Sequence, residues 1–404
     1  MRIIQVNKFN YLRGGAEKYF LEMTQALRSS GHEVAIFSMQ HPKNLPSEWA
    51  SYFVSRVSYN EGSFFNRLKG IGRMLYSFEA KRKFEQLVTD FKPDIIHIHN
   101  IYHQISPSIL DVARQHNIPV VMHLHDYKLI SANYQLFCGG HICYDGTAPH
   151  YFKCFWNKCF KDSYLASFLV SLEMFFHHRI LKIYEKSVSL YIAPSNFMKD
   201  TCVRFGVPEK KIKVMYNFIT HEVLEPQTNL LPYILYLGRL SEEKGIDVLL
   251  RSVALNSKTK LKIAGNGPAQ RNLLKITSDL KISNQVEFLG HLEQKKLGPI
   301  IELAQAIVIP SIWLENMPFA LLEAMALGKV VIVSKIGGLA ELIENNVNGF
   351  SFEAGNAQAL AHVITNLAHY DLEQISKSAL ARVTNLKIEN HRIELLHVYE
   401  QILS

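Results

Sequence analysis

The sequence contains no stretch of about 18 uninterrupted apolar residues, the length that a membrane-spanning helix needs. Its first residues include only a short apolar run before polar residues follow. This pattern is typical of a buried strand and lacks the longer apolar core of a signal peptide. Internal repeats and low-complexity tracts are also missing. Together these absences predict a cytoplasmic protein without a membrane span.

Cysteine is scarce, with five residues in 404, yet four of the five fall in one short segment. Cys138 and Cys143 form one C-x4-C pair, and Cys154 and Cys159 form a second. Four thiolates can bind zinc tetrahedrally, whereas disulfides are disfavoured in a reducing cytoplasm. Two interpretations are therefore open: the four cysteines hold a structural zinc ion, or they are free thiols packed in a loop.

Acidic residues are clearly outnumbered only in the first half of the chain. Residues 1–200 contain 23 Lys and Arg against 16 Asp and Glu, and residues 201–404 contain 21 against 20. Much of the excess lies in residues 63–84, where basic residues alternate with apolar ones: Arg67, Lys69, Arg73, Lys81, Arg82 and Lys83 among Phe64, Phe65, Leu68, Leu75, Tyr76 and Phe78. This segment is either an amphipathic helix with a solvated basic face or a helix that lies on anionic lipid headgroups.

The length and composition of the chain are those of a globular enzyme with more than one hydrophobic core. Short β-rich runs alternate with helical patterns in both halves, which predicts an α/β fold with doubly wound parallel sheets. The alternation lapses between Asn217 and Pro232. We therefore predict one Rossmann-like domain over residues 1–220, interrupted by a Cys-rich insertion at about residues 126–162, and a second over residues 221–385. A final helix over residues 386–404 is expected to pack back toward the first domain.

The segment Pro310–Gly328, PSIWLENMPFALLEAMALG, carries the first candidate site of the second domain. A strand is predicted to end at Pro310 and a helix to begin near Pro318, with Asn316 as its N-cap and Gly328 past its end. The N–H groups at such a helix start attract anions. Glu315 in the loop and Glu323 in the helix are expected either to contact one elongated ligand at different points or to be ordinary solvated side chains.

Two further loops of the second domain follow predicted strands. In LGRLSEEKG, Arg239 and Lys244 are suitably spaced to bind two phosphates, although a solvated surface loop is the alternative. Gly265, Asn266 and Gly267 form a turn through which the backbone can approach a ligand, a weak signal when taken alone.

The first domain offers a glycine pair and a group of histidines. Gly14 and Gly15 follow the first strand and open a helix, so their N–H groups either approach an anion or a sugar or form a plain turn. His97, His99, His123 and His125 flank the ends of two strands. His125 is the strongest candidate because it follows the carboxyl end of its strand.

These segments resemble the family-four group of retaining glycosyltransferases, which have the GT-B fold of two Rossmann-like domains that face each other across a cleft. The resemblance covers nearly the whole chain and is most specific in RGGAE, LGRLSEEKG, IAGNGP, FLGHL and ENMPFALLEAMALG. It implies transfer of a sugar from a nucleoside diphosphate without a catalytic metal.

The resemblance also implies roles for individual residues. Arg239 and Lys244 would neutralise the leaving diphosphate, while Glu315 would bind donor-sugar hydroxyls and Glu323 the ribose hydroxyls. His125 would contact the donor sugar. The other implied donor contacts are the loop of Gly14 and Gly15, the edge of the base at Gly290, His291 and Leu292, and the backbone of Asn316, Met317, Pro318 and Phe319.

The expected function is transfer of a hexose to a glycan or a lipid-linked acceptor in the assembly of surface polysaccharide or lipopolysaccharide. Peripheral association with the inner face of the plasma membrane through residues 63–84 is part of this expectation. An epimerase or phosphorylase on the same scaffold is the alternative enzyme. A non-enzymatic membrane-associated or nucleic-acid-binding protein is less well supported, because it gives Arg239, Lys244 and Glu315 no purpose, and no nucleic acid is expected as a partner.

Overall fold

The computed structural model describes residues 1–57, 64–220 and 230–404, with the side chains of residues 64–69 and of residue 294 left aside. Contacts divide the chain into two compact units. Unit 1 consists of residues 1–138, 143–216 and 388–404, and unit 2 consists of residues 139–142 and 217–387.

The strands before residue 217 are short and mostly buried, as expected for a sheet covered on both faces. They are β1 (Arg2–Val6), β2 (Glu33–Phe37), β3 (Ile95–Ile98), β4 (Val120–His123), β5 (Phe137–Cys138), β6 (His141–Ile142), β7 (Leu190–Ala193) and β8 (Ile212–Val214). Within the described part of unit 1, six strands form one parallel sheet in the order β2-β1-β3-β4-β7-β8. Because the chain first goes from β1 to one edge and later returns to its other side, this sheet is doubly wound.

Helices connect these strands. They are α1 (Gly15–Ser29), α2 (Phe64–Leu75), α3 (Phe78–Phe91), α4 (Ile109–Gln115), α5 (Lys153–Trp156), α6 (Tyr164–Phe175), α7 (Ile183–Ser187) and α8 (Asn196–Arg204). Side-chain oxygens cap three of them: Ser77 accepts from the N–H of Ala80, Ser163 from that of Ala166, and Ser195 from that of Met198.

Unit 2 repeats the same architecture. Its strands are β9 (Leu231–Leu237), β10 (Lys260–Ala264), β11 (Val286–Gly290), β12 (Ala304–Ile309), β13 (Val331–Ser334) and β14 (Phe350–Phe352), in the parallel order β11-β10-β9-β12-β13-β14. Its helices are α9 (Ile246–Ala254), α10 (Gln270–Asp279), α11 (Gln294–Leu303), α12 (Phe319–Ala326), α13 (Leu339–Leu342), α14 (Ala357–Asn366) and α15 (Leu372–Val383). The core consists of buried Ile, Leu, Val and Phe side chains from the strands and their covering helices.

The last helix, α16 (Ile388–Leu403), packs within unit 1 against α1. His391 of α16 accepts or donates a hydrogen bond with the Tyr19 hydroxyl of α1 at 2.7 Å, and Tyr399 OH lies 2.6 Å from His97 Nδ1 of β3. All four side chains are buried. Unit 1 is therefore completed by residues that follow unit 2 along the chain.

The predicted α/β class and the two doubly wound parallel sheets are confirmed. Residues 164–186 are helical, but they do not form one continuous α-helix. The helix ends at Phe175, a π-helical turn covers Phe176–Leu181, and Lys182 has a φ of 51°, which starts a separate α7. The short strands β8 and β14, each of three residues, extend the two sheets by one strand each.

Candidate functional site

The carboxyl ends of β9 and β12 lie side by side at the point where the strand order of unit 2 reverses. Such a reversal opens a crevice in which ligands of α/β sheets bind. The loop after β9 contains Arg239 and Lys244, and the loop after β12 contains Glu315. The strand order therefore brings together two motifs that are about 70 residues apart in the sequence.

A glycine allows these two loops to touch. Gly245 has a φ of 65°, in the left-handed region, and a Cβ built there would lie only 2.0 Å from the carbonyl oxygen of Pro310. A hydrogen bond also joins the same two loops: the Ile312 N–H donates to the carbonyl oxygen of Glu243 at 3.0 Å. The 3-10 turn Glu242–Lys244 is thus fastened against the loop that follows β12.

Lys244 and Glu315 form the central ion pair of this site. Lys244 Nζ donates to Glu315 Oε1 at 2.6 Å, and Ser311 Oγ donates to the same oxygen at 2.7 Å. The Glu315 side chain is 6% exposed and that of Lys244 is 25% exposed. The ammonium also lies 5.2 Å from the centre of the Trp313 ring. A lysine held in this way can offer a fixed positive charge to an anion in the crevice.

The backbone of Glu315 is fixed as firmly as its side chain. Gly338 N–H donates to the Glu315 carbonyl oxygen at 2.7 Å. The preceding Gly337 has a φ of 56°, and a Cβ on it would lie 2.3 Å from that same oxygen. The loop after β13 therefore supports the loop after β12, and the carboxylate of Glu315 has little freedom to move.

Arg239 lies in the same loop as Lys244, but the two side chains differ in environment. The Arg239 side chain is exposed and forms no ion pair with any residue that the structure describes. Its carbonyl oxygen accepts a hydrogen bond from the Tyr236 hydroxyl at 2.9 Å, which fixes the backbone at the end of β9. The guanidinium therefore remains available to a ligand.

The turn of Gly265, Asn266 and Gly267 has a structural reason that the sequence did not reveal. A Cβ on Gly265 would lie 1.8 Å from the carbonyl oxygen of Gly238, and one on Gly267 would lie 2.1 Å from that of Leu240. The Leu240 N–H donates to the Asn266 carbonyl oxygen at 3.0 Å. The glycines let two neighbouring loops pack backbone to backbone, so close approach of a ligand is not needed to explain them.

The third loop of this edge follows β11. Gly290 is the last residue of β11 and has a φ of 67°, and its carbonyl oxygen accepts from the Gly265 N–H at 2.8 Å. His291 is exposed and Leu292 is half-buried. Gly290, His291 and Leu292 thus lie at the same end of the sheet as the other candidate loops, as parallel strands require.

The helix that was predicted to begin near Pro318 begins one residue later, whereas its predicted N-cap lies elsewhere. α12 begins at Phe319, with Pro318 in the cap position, and no side chain caps it; the prediction of Asn316 as N-cap is therefore wrong. Asn316 is instead buried in the loop. The Met317 carbonyl oxygen accepts from Asn217 Nδ2 at 2.7 Å. Glu323 lies in the middle of α12 and is half-buried.

The end of α12 matches the prediction: Leu327 is the C-cap and Gly328 follows with a φ of 60°. At the other end, the ring of Phe319 packs edge to face against Phe218 with centroids 5.6 Å apart. The first turn of α12 is thereby held by packing, and its N-cap residue, Pro318, supplies no side-chain cap to the first N–H groups. These groups are the anion-attracting feature of this edge of unit 2.

In unit 1, Gly14 and Gly15 lie where the sequence places them. Gly14 is the extended N-cap of α1 with a φ of −169°, and Gly15 is its first residue. Both are exposed, and no side chain caps the helix. The loop that precedes them also exposes Leu12. The start of α1 is thus accessible at the carboxyl end of β1.

The four histidines of the first domain form a stacked group, which we name the histidine cluster: His97, His99, His123 and His125. The ring centroids of His97 and His99 are 4.5 Å apart, and those of His123 and His125 are 4.4 Å apart. His99 Nδ1 lies 2.9 Å from His125 Nε2, so one ring donates to the other. The Tyr19 ring covers the cluster at 4.1 Å from the His123 centroid.

Burial determines the charge of the cluster. Desolvation, followed by repulsion from the Lys8 ammonium, lowers the pKa of His125 to about 3. Desolvation, followed by repulsion from neighbouring His125 and His391, lowers the pKa of His97 to about 3. The pKa values of His99 and His123 are lowered in the same direction. His125 is therefore a neutral imidazole at physiological pH, able to accept or donate a hydrogen bond but not to act as a cation.

The sequence did not identify the other members of this network. Gln5 Oε1 lies 2.7 Å from His99 Nε2, and Tyr19 and His391 are hydrogen-bonded at 2.7 Å. Gln5 and His99 are 94 residues apart in the sequence, and Tyr19 and His391 are 372 residues apart. The available signal was the alternation of histidines at positions 97 and 99 and at 123 and 125, which places them on one face of two neighbouring strands.

The four clustered cysteines lie together in unit 1, as both interpretations of the sequence require. Cys143 Sγ and Cys159 Sγ lie 3.7 Å apart, and all four thiols are free. Among the described residues, no group of three or more His, Cys, Asp or Glu side chains could hold a metal ion. Cys143, Cys154 and Cys159 are buried together with Tyr151 and Met174, and Cys138 packs against them at the edge. The described residues thus do not show a structural zinc site, and the choice between zinc and packed free thiols stays a prediction.

The basic segment 63–84 is two helices, α2 and α3, and not one. Arg73 is buried and pairs with Glu79 at 3.4 Å, so this cation has a structural role. Lys83 donates to the Phe53 carbonyl oxygen. The side chains of Arg67 and Lys69 lie outside the described residues. Among the residues that the structure describes, none of the helices combines the length and the apolar character needed to cross a membrane.

Comparison with known proteins agrees with this architecture. The family model described as Glycosyltransferase Family 4 matches residues 13–223, and the model described as Glycosyl transferases group 1 matches residues 225–380. An uncharacterized 42.6 kDa protein in the cps region of Klebsiella pneumoniae is 27% identical, over 85% of this chain and 87% of that protein. An uncharacterized glycosyltransferase of Methanocaldococcus jannaschii is also 27% identical, over 86% of this chain and 83% of that one.

Two solved structures share the fold at lower identity. The crystal structure of Anabaena HepE in complex with UDP has a TM-score of 0.71 and 18% identity, and the alignment covers 99% of this chain and 100% of HepE. The apo form of the lipopolysaccharide outer core galactosyltransferase WaaB has a TM-score of 0.66 and 16% identity, with 99% and 100% covered. Both structures therefore have a fold similar to that of this chain.

Proposed function

The chain belongs to glycosyltransferase family 4, and from this premise we propose that it transfers a sugar from a nucleoside diphosphate sugar to a glycan or lipid-linked acceptor. The proposal includes retention of the anomeric configuration and no catalytic metal. One observation carries it: Lys244, Glu315 and Ser311 meet at the reversal point of the unit 2 sheet. This is where open α/β sheets bind nucleotides.

The reaction needs stabilisation of the negative charge that develops on the departing diphosphate. We propose that Lys244 and Arg239 supply the positive charge, assisted by the dipole at the start of α12. Lys244 is fixed by Glu315, whereas the exposed Arg239 can close on a phosphate when the donor binds. Preorganised cations of this kind can replace a metal ion in this role.

Hydroxyl groups of the donor are proposed to meet carboxylates. Glu315 Oε1 already accepts two hydrogen bonds, so its other oxygen is the one that can accept from a sugar hydroxyl. We assign the ribose hydroxyls to Glu323 and the edge of the base to the loop of Gly290, His291 and Leu292. A neutral His125 is suited to hydrogen-bond a sugar hydroxyl, since it adds no charge beside the reacting carbon.

A surface polysaccharide or a lipopolysaccharide intermediate is the proposed acceptor. The names of two relatives support this proposal, because one is a protein in a cps region and another is a lipopolysaccharide galactosyltransferase. The basic excess of residues 1–200 is consistent with a membrane-proximal acceptor, and within residues 63–84 the exposed Arg82 is available to lipid headgroups.

Thermal unfolding in the presence of UDP-, GDP- and ADP-sugars tests the donor site. A donor at a hundredfold excess over its Kd adds about 2.7 kcal/mol of stability, which corresponds to a rise in Tm of about 5 to 10 °C. The nucleoside monophosphate, which lacks the second phosphate, is the matched ligand control. If no nucleotide sugar raises Tm, the proposed function is wrong. Conversion of the nucleotide sugar itself in the absence of any acceptor would instead indicate an epimerase.

A further inference from the structure

Helix α6 (Tyr164–Phe175) exposes a stripe of apolar side chains and buries its polar ones. Ser167, Ser171 and Glu173 are buried, together with Val170 and Met174. The opposite stripe lies at positions 164, 165, 168, 172 and 175, which fall within one sector of about 100° on a helix. It consists of Tyr, Leu, Phe, Leu and Phe. A surface helix of a globular protein normally has the reverse arrangement, so this face is built to be covered.

Polar contacts fix the helix in this orientation. The Glu173 carboxylate is fully buried and accepts from Lys128 Nζ at 2.7 Å, while His103 Nε2 lies at 3.1 Å. Ser171 Oγ lies 2.9 Å from the Tyr151 carbonyl oxygen. Rotation of α6 to hide its apolar stripe would break a buried ion pair and leave a charge unpaired in the interior, which is strongly unfavourable. The exposure of the stripe is therefore a stable property of unit 1.

Helix α5 (Lys153–Trp156) extends the apolar stripe. Trp156 is 72% exposed, and Phe152 is also exposed. The Phe152 and Phe168 rings lie 6.2 Å apart, and Phe155 links Trp156 to Tyr164 with centroid distances of 4.9 and 5.5 Å. We name this continuous apolar area the α5–α6 surface: Phe152, Trp156, Tyr164, Leu165, Phe168 and Phe175.

Positive charge surrounds the α5–α6 surface. Residues 151–182 contain five Lys and Arg against two acidic residues, and one of those two, Glu173, is buried in its ion pair. The basic residues are Lys153, Lys158, Lys161, Arg179 and Lys182. The Lys158 ammonium lies 4.6 Å from the centre of the Tyr164 ring. The apolar area thus has a cationic border, which an acidic surface would complement.

We propose that the α5–α6 surface docks on an anionic lipid bilayer, with α6 lying in the plane of the headgroups. Trp and Tyr favour the membrane interface, Leu and Phe enter the acyl boundary, and lysines bind anionic headgroups. α6 has 12 residues, too few to span a bilayer, which fits an interfacial helix. This surface lies outside residues 63–84 and is a separate contact from the one that the sequence predicts there.

The two membrane-facing segments are nevertheless neighbours within unit 1. His177, just after α6, donates from Nε2 to the Leu75 carbonyl oxygen at the end of α2, at 2.7 Å. Phe78, two residues after Tyr76, is 78% exposed and begins α3. The biological reason for membrane docking rests on the proposed function, in which the acceptor is lipid-linked. The geometry of the α5–α6 surface and the test of docking do not depend on the donor site.

Cosedimentation with vesicles tests the proposal on the full chain, without nucleotide sugar. We expect binding to vesicles of equal parts phosphatidylglycerol and phosphatidylcholine, weak binding to phosphatidylcholine alone, and a decrease with salt. Trp156→Ala combined with Leu165→Gln should lower the partition coefficient about tenfold or more, because two interfacial anchors are lost. Leu255→Gln is the matched control: Leu255 is 59% exposed in unit 2, and its replacement should leave binding unchanged.

A charge variant gives an independent measurement. Lys153→Glu combined with Lys161→Glu should lower binding to the anionic vesicles about tenfold or more, whereas Lys258→Glu in unit 2 should not. All replaced side chains lie at the surface, so thermal unfolding should stay near that of the wild-type protein.

Three outcomes would overturn the proposal. The wild-type chain could stay unbound on anionic vesicles, or the variants at positions 156 and 165 could bind like the wild type. Light scattering could also show a dimer that these two substitutions dissociate while vesicles remain unbound, in which case a second copy covers the surface. Because vesicle binding and the thermal effect of the donor are measured separately, failure of one leaves the other standing.

Discussion

Replacement of Lys244 by Ala removes the central cation of the proposed donor site and tests it directly. If Lys244 stabilises the leaving diphosphate, its loss should lower kcat by about a hundredfold to a thousandfold, as for removal of one preorganised donor to a transition-state anion. The geometry supports this magnitude: the Lys244 side chain is one-quarter exposed and its ammonium is bonded to a nearly buried carboxylate, so water cannot replace it well. The assay is release of nucleoside diphosphate at saturating donor and acceptor.

The same substitution also has a cost in stability, which has to be separated from catalysis. Glu315 would keep the hydrogen bond from Ser311 but lose its cation, which should lower the free energy of unfolding by about 1 to 3 kcal/mol. Combining Lys244→Ala with Glu315→Gln should restore part of that loss, because no buried charge remains unpaired. It should not restore kcat, since neither residue can then perform its proposed role.

Two further variants complete this experiment. Lys244→Arg keeps the charge but changes its shape and should lower kcat by about tenfold. Lys258→Ala replaces an exposed lysine that follows the end of α9 in the sequence. This control should leave both kcat and stability unchanged. A folded Lys244→Ala protein with near-native kcat would refute the role of Lys244 in stabilising the departing anion.

Two other predictions concern the supporting structure. Gly245→Ala should lower Tm strongly and abolish the rise in Tm caused by a donor, because the new Cβ would overlap the Pro310 carbonyl oxygen. Gly355→Ala is the control: Gly355 has a φ of 80° but open space around it, so this change should lower the free energy of unfolding by only about 1 kcal/mol. The second concerns pH. His97 and His125 have pKa values of about 3 when folded, against 6.5 when unfolded. The unfolded chain therefore binds more protons between pH 6.5 and 3, so stability should be complete above this window and fall as the pH decreases through it. Urea unfolding at pH 7.5 and 5.0 measures the effect; equal unfolding free energies would contradict the burial of neutral imidazoles.

The parallel strands and the loops that follow them could be predicted from sequence because each depends on local pattern. Runs such as Ile95–Ile98 and Val331–Ser334 are short, apolar and buried, and they occur at intervals that leave room for a helix. The motif loops were found for the same reason, since they follow directly after such runs. Side-chain partners were not found, because they depend on strand order. The Lys244–Glu315 pair requires β9 and β12 to be neighbours.

Other errors have specific physical causes. Asn is a favoured N-cap residue, which is why Asn316 was predicted to cap α12. In the structure Pro318 is at the N-cap and Phe319, which packs on Phe218, is the first helical residue. The sequence after Phe175 contains neither Pro nor Gly, so it does not reveal that α6 ends there. The π-helical turn at this point is accompanied by a tertiary contact, the hydrogen bond from His177 to α2. Helical periodicity alone could not reveal that α6 turns its apolar face outward, because a helix with apolar residues on most sides gives a weak amphipathic signal.

The origin of α16 has a consequence for how the protein is made. Residues 388–404 provide His391 to Tyr19 and Tyr399 to His97, yet they are synthesised after every residue of unit 2. As the chain leaves the ribosome, the first 216 residues must wait for this last helix with Tyr19 and His97 still uncovered. Unit 2, whose main segment is continuous from 217 to 387, can complete its own sheet in the meantime. Newly made unit 1 is therefore the part that most needs protection from aggregation until residues 388–404 have been synthesised.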